Sequence, residues 1–81
     1  MDRAFDNTER MENLSYAIGY YRKHKGLTQE QLAERLGISR QHLSSVEAPG
    51  VHRGISLELI YNIATVLEIE LYLLFKFKLE K

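Results

Sequence analysis

The chain has 81 residues, with 11 basic and 11 acidic side chains, a formal charge of zero and no Cys. That length allows one domain with a small core, for which subunit association is a reasonable way to bury more surface. Without Cys, disulfides and thiolate metal sites are excluded.

No apolar run reaches the ~20 residues that a membrane-spanning helix needs. The first ten residues are polar and carry Asp2, Asp6 and Glu9, which is wrong for a secretory signal. A cytoplasmic protein is therefore expected. Residues 1–10 read as a polar extension, 11–75 as the folded domain and 76–81 as a tail.

Met11, Leu14, Ala17, Ile18 and Tyr21 share one helical face, predicting an amphipathic helix over about residues 9–25. Lys23 and Lys25 load its last turn, and Gly26 follows as the residue that ends it. Thr28-Gln29-Glu30-Gln31 is a capping box for a second helix. Leu32, Ala33 and Leu36 supply the buried face of that helix, and Gly37 stops it.

Ser39 is an N-cap for a third helix over about 40–47, ended by Pro49 and Gly50. Ser56 caps a fourth, with Leu57, Ile60, Ile63, Ala64 and Leu67 as its inner stripe. The tail admits two readings. Leu71, Leu74 and Phe75 fit a short helix, whereas Leu71, Leu73, Phe75, Phe77 and Leu79 alternate as a strand would. A helical turn to Phe75 followed by an extended end reconciles them, so the expected class is all-α with an extended C-terminal tail as the alternative.

Helices two and three, joined by a Gly-containing turn at 28–47, form a helix-turn-helix. In that arrangement the first helix supports the second, whose outer face can enter the ~12 Å wide major groove of DNA. Rotating 100° per residue along helix three, with Leu43 and Val46 inward and Ile38 beneath the turn, directs Gln41, Ser44, Ser45 and Ala48 outward. Arg40 lies on the flank and His42 nearer the inner edge. Arg suits guanine, Gln suits adenine, and Ser both donates and accepts.

The run LTQEQLAERLGISR from Leu27 to Arg40 resembles the Xre family of lambda-repressor-like helix-turn-helix regulators. The similarity continues through Leu43, Ser44, Val46-Glu47, Ile55-Ser56-Leu57 and Ile63-Ala64, and back to Arg22 and Gly26, covering about residues 12–75. It implies a five-helix bundle that binds double-stranded operator DNA, usually as a homodimer on a palindromic site. By position, the resemblance makes Gln29 a phosphate contact and Arg40, Gln41, Ser44 and Ser45 the base-reading residues. Glu47 falls on a family glutamate, read as structural. The stretch from Ala48 to Gly54 departs from the compact family loop, and within it His52 and Arg53 are candidate phosphate contacts.

Zero net charge runs against a strongly electrostatic DNA binder. Between Arg22 and Arg53, however, six cations (Arg22, Lys23, Lys25, Arg35, Arg40, Arg53) face three anions (Glu30, Glu34, Glu47). The three histidines lack metal-ligand spacing, the glycines form no phosphate loop, and Ser44, His42 and Glu47 do not converge as a catalytic triad. No metal, cofactor or enzymatic activity is expected. Leu59, Val66, Tyr72, Leu73, Phe77 and Leu79 exceed the needs of one small core and are candidates for a dimer interface. A second functional reading uses the same bundle as a protein-interaction module, such as an antitoxin docking a toxin.

Overall fold

The computed structural model describes residues 5–50 and 55–79, which form five helices in the order α1 (Thr8–His24), α2 (Gln29–Leu36), α3 (Arg40–Glu47), α4 (Leu57–Leu67) and α5 (Leu71–Lys76). Local chemistry sets most of their ends. The capping box of α2 is complete: the Thr28 hydroxyl accepts from the Gln31 amide at 3.0 Å, and the Gln31 side chain accepts from the Thr28 amide at 2.9 Å. Ser39 accepts from the His42 amide and Ser56 from the Leu59 amide, so α3 and α4 start on Ser caps.

Three helices end with the same left-handed turn. Gly26 (φ 81°), Gly37 (φ 74°) and Glu68 (φ 57°) follow α1, α2 and α4. In each, the next amide donates back across the turn: Leu27 to the Arg22 carbonyl, Ile38 to Ala33 and Ile69 to Ala64. Two of these positions hold the residue that adopts positive φ without steric cost. The third holds Glu68, whose carboxylate pairs with Lys25 after α1.

The core takes Leu14, Ala17 and Ile18 from α1, Leu32 and Ala33 from α2, and Leu43 and Val46 from α3. Ile60, Ile63, Ala64 and Leu67 of α4 and Leu74 of α5 complete it. Each aliphatic side chain fully buried there contributes about 1.5–3 kcal/mol. The inward residues of α1 to α3 are those the sequence periodicity selects. Leu57 departs from expectation: the first residue of α4 is 60% exposed instead of lining the inner stripe.

Among the described residues there is no strand. The tail folds as helix α5 because Leu74 then enters the core, with Leu71 packed against its edge. Phe75, which the helical reading groups with Leu71 and Leu74, departs from it and is left 56% exposed. After Lys76 the chain extends across α1, where Phe77 sits 5.6 Å from Tyr20 and the Leu79 amide donates to Asn13 Oδ1 at 3.2 Å. The helix-then-extended reading of the tail thus matches the structure.

Glu68 offers a direct check on the helix ends. A non-glycine residue in the left-handed region costs about 1–2 kcal/mol, and its ion pair is too exposed to offset that. Glu68→Gly should stabilise the fold by about 0.5–1 kcal/mol in urea unfolding, after the extra chain entropy of Gly is subtracted. An unchanged or lower midpoint would show that the side-chain pairing outweighs the backbone strain.

Candidate nucleic-acid interface

The helix-turn-helix is assembled by α2 and α3 meeting across the Gly37–Ser39 turn. Leu32 and Ala33 of α2 and Leu43 and Val46 of α3 are buried together, with Ile38 half-buried beneath the turn. Packing these four inward fixes the opposite edge of α3 outward. Arg40, Gln41 and Ser44 are exposed there, and Ser45 is half-buried. His42 departs from the helical-wheel expectation: it is exposed, not turned toward the core. Lying one residue from Leu43 on an eight-residue helix, it sits on the Gln41 side of the inward direction.

A buried ion pair locks this unit to the rest of the bundle. Arg22, near the end of α1, is only 7% exposed. Its guanidinium meets Glu47, the last residue of α3, in a two-point contact: Nε donates to Oε2 at 2.7 Å and Nη2 to Oε1 at 3.0 Å. The planar fork of Arg matches a carboxylate in this way, which fixes orientation as well as distance. The third nitrogen, Nη1, donates to the Leu27 carbonyl at 2.8 Å, where the chain enters α2. Gly19 allows α1 to approach, because a Cβ there would lie 3.2 Å from Glu47 Oε1. One side chain thus holds the end of α1, the entry to α2 and the end of α3.

Gln29, the first residue of α2, joins the same network. Its Nε2 donates to Glu47 Oε1 at 3.1 Å, and the side chain is half-buried. The first amides of a helix have no intrahelical partner, so Gln29 stands beside free donors at the positive end of α2. Glu47 fits the structural role expected from sequence, but its two partners are not adjacent in the chain. Arg22 is 25 residues away and Gln29 is 18. The one sequence hint is that Arg22, unlike Lys23 and Lys25 beside it, falls one turn after Ile18 on the inward face of α1, while Glu47 is the one anion of α3.

His52 and Arg53 lie outside the described residues. Of the apolar candidates for subunit contact, Leu59, Val66 and Phe77 are partly buried against the monomer's own core, and Leu73 is half-buried. Tyr72 and Leu79 remain exposed, at 61% and 38%. Leu57 and Tyr61, one turn apart on α4, and Phe75 on α5 are exposed by 52–60% and are not among the subunit contacts expected from sequence. Helical periodicity over so few turns cannot tell an apolar residue that faces the core from one a few tens of degrees beyond its rim.

A family model described as helix-turn-helix matches residues 18–74. The chain belongs to the helix-turn-helix family. Within that family it is of the Xre, lambda-repressor-like type. It is 41% identical over 58 residues to the HTH-type transcriptional regulator SlrR of Bacillus subtilis (strain 168), a match spanning 72% of this chain and 38% of that protein. The chain therefore corresponds to well under half the length of this curated relative.

Two solved structures are also similar. The restriction-modification controller protein C.AhdI from Aeromonas hydrophila superposes with a TM-score of 0.73 at 35% identity, covering 80% of this chain and 96% of that one. SinR, a master regulator for biofilm formation solved in complex with DNA, superposes with a TM-score of 0.68 at 30% identity, covering 75% and 95%. The match to the family runs from the middle of α1 to Leu74, so it includes Arg22, Gln29 and Glu47 as well as all of α3.

Breaking this helix-turn-helix lock from one side should be costly. Arg22→Ala would leave Glu47 buried without its counter-charge and is expected to lower stability by about 3–5 kcal/mol in chemical denaturation. A loss below about 1 kcal/mol would mean that water replaces the guanidinium freely.

Proposed function

We propose that the chain is a sequence-specific DNA-binding transcriptional regulator, a repressor that acts as a dimer on a palindromic operator. The observation that carries this reading is the arrangement of α3, whose inner residues are fully committed to the core while Arg40, Gln41 and Ser44 stand free along one edge. Membership of the helix-turn-helix family supports it, as does the likeness to SinR, a regulator solved with DNA bound. No reacting group is required of such a protein, and the Ser, His and Glu of α3 do not face one another as a catalytic set would.

In this reading α3 enters the major groove. Arg40 and Gln41 present bidentate donors and acceptors to base edges, with Ser44 and Ser45 further along. Gln29 and the first amides of α2 contact a phosphate, and His52 and Arg53 are further candidate phosphate contacts. Phosphate contacts set position and base contacts set sequence. Zero net charge is compatible with this division, because the acidic residues concentrate toward the two ends of the chain.

Dimerisation is assigned to the outer faces of α4 and α5. Leu57, Tyr61, Tyr72 and Phe75 each keep half or more of their surface exposed on two helices that pack on each other. That amount of exposed aromatic and aliphatic surface is uncommon on a small monomer. Leu59 and Val66 of α4 are partly buried against the core, and Phe77 and Leu79 lie over α1.

Two experiments test the proposal. Selection of bound fragments from random DNA should recover a palindrome. On it, Arg40→Ala or Gln41→Ala should each cost about 1–3 kcal/mol of discrimination with thermal stability nearly unchanged, and affinity should fall steeply with salt. Binding that ignores both substitutions, or that is flat with salt, would remove α3 as the interface. In sedimentation equilibrium the protein should be dimeric, and Tyr61→Glu with Phe75→Glu should yield a folded monomer. A wild-type monomer across the micromolar range would refute self-association and leave that face for another protein.

A further inference from the structure

We infer that Glu47 is a positioning residue for the phosphate contact of Gln29, holding its carboxamide with an N–H directed outward. The inference rests on the phosphate role proposed for Gln29 and adds the group that aims it. A carboxamide carries an acceptor oxygen on one side and two N–H donors on the other, and a half-turn exchanges them. Facing a phosphate, one orientation donates and the other sets oxygen against oxygen. An unrestrained Gln at a helix start samples both.

Glu47 removes that ambiguity. Its carboxylate only accepts, so the atom that meets Oε1 at 3.1 Å must be the Gln29 nitrogen. One N–H is thereby bound, and the second N–H of the same nitrogen is left pointing away from Glu47. The carboxylate itself cannot swing. Both of its oxygens are held by Arg22, at 2.7 and 3.0 Å, and Arg22 is anchored to the Leu27 carbonyl at 2.8 Å. Arg22 also cancels a negative charge that would otherwise repel a phosphate. Every bond in the chain from Leu27 to Gln29 is made before DNA arrives, so the orienting entropy is lost on folding and not on binding.

The test separates aiming from folding. Arg22→Met with Glu47→Leu replaces the buried pair by apolar side chains of similar volume, a change that often preserves stability. Circular dichroism and thermal unfolding establish that this protein is folded at the binding temperature. Gln29→Ala alone should weaken binding to operator and to random duplex alike, by on the order of tenfold. The Arg22→Met/Glu47→Leu protein should show a loss of similar size, and adding Gln29→Ala to it should cost little more. Gln29→Lys in that background should recover affinity, because an ammonium donates in every direction and needs no aiming.

Losses that multiply instead of merging, or wild-type binding by the Arg22→Met/Glu47→Leu protein, would overturn the inference while leaving the Gln29 contact intact. Unchanged binding by Gln29→Ala alone would overturn the phosphate assignment and the inference with it. A measurement on the wild-type protein does not depend on any variant folding. By NMR, one Gln29 side-chain amide proton should exchange with water several-fold more slowly than its twin, and added DNA should slow the other. Equal exchange of the two in the free protein would overturn the inference.

Discussion

A single guanidinium, that of Arg22, fixes how α1, α2 and α3 sit relative to one another. Apolar packing alone would place α2 and α3 against α1 and α4, because Leu32, Leu43, Ile18 and Ile63 are all fully buried. Such packing is tolerant of small rotations, since dispersion and burial have little directional preference. The two-point contact with Glu47 and the third bond to the Leu27 carbonyl do have direction. They set the rotation of α3 about its axis and the entry angle of α2. A buried pair is weak evidence for added stability, and its contribution here is best understood as geometry.

That geometry matters because α2 and α3 are each only eight residues long. Helices of this length are not stable alone in water. They persist because Thr28 and Ser39 each satisfy the third amide of the helix they cap and because one face of each is buried. With so few residues, nearly every position on α3 is committed either to the core or to the exposed edge. The proposed recognition surface therefore follows directly from how Leu43 and Val46 pack. The exposed edge can change chemically with little effect on folding, while the inward residues cannot.

The other end of the bundle follows a different logic. Helix α5 is short and contributes one fully buried side chain, Leu74, after which the chain runs back over α1. Much of its remaining apolar surface, at Tyr72 and Phe75, faces outward, as do Leu57 and Tyr61 of α4. In the proposed dimer, polar recognition and apolar association occupy different helices, so the two can vary independently. For an 81-residue chain with a small core, association also adds burial that the monomer lacks.

The sequence by itself determined the first four helices and most of their ends. Thr28, Ser39 and Ser56 sit where a hydroxyl can accept from a first-turn amide, and Gly26 and Gly37 where the chain must turn left-handed, and these are requirements met within four or five residues. It also determined the helix-turn-helix and its inward set, because Leu32, Ala33, Leu43 and Val46 have the period of one helical face. Tertiary structure decided the rest. Whether Leu71 to Phe75 became helix or strand depended on where Leu74 could be buried, and the sorting of Leu57, Leu59, Val66 and Phe77 depended on which neighbours reached them. The meeting of Arg22, Gln29 and Glu47 joins residues 18 and 25 positions apart. No local pattern encodes it, since a charge is recognisable as a partner only once folding has excluded water from both.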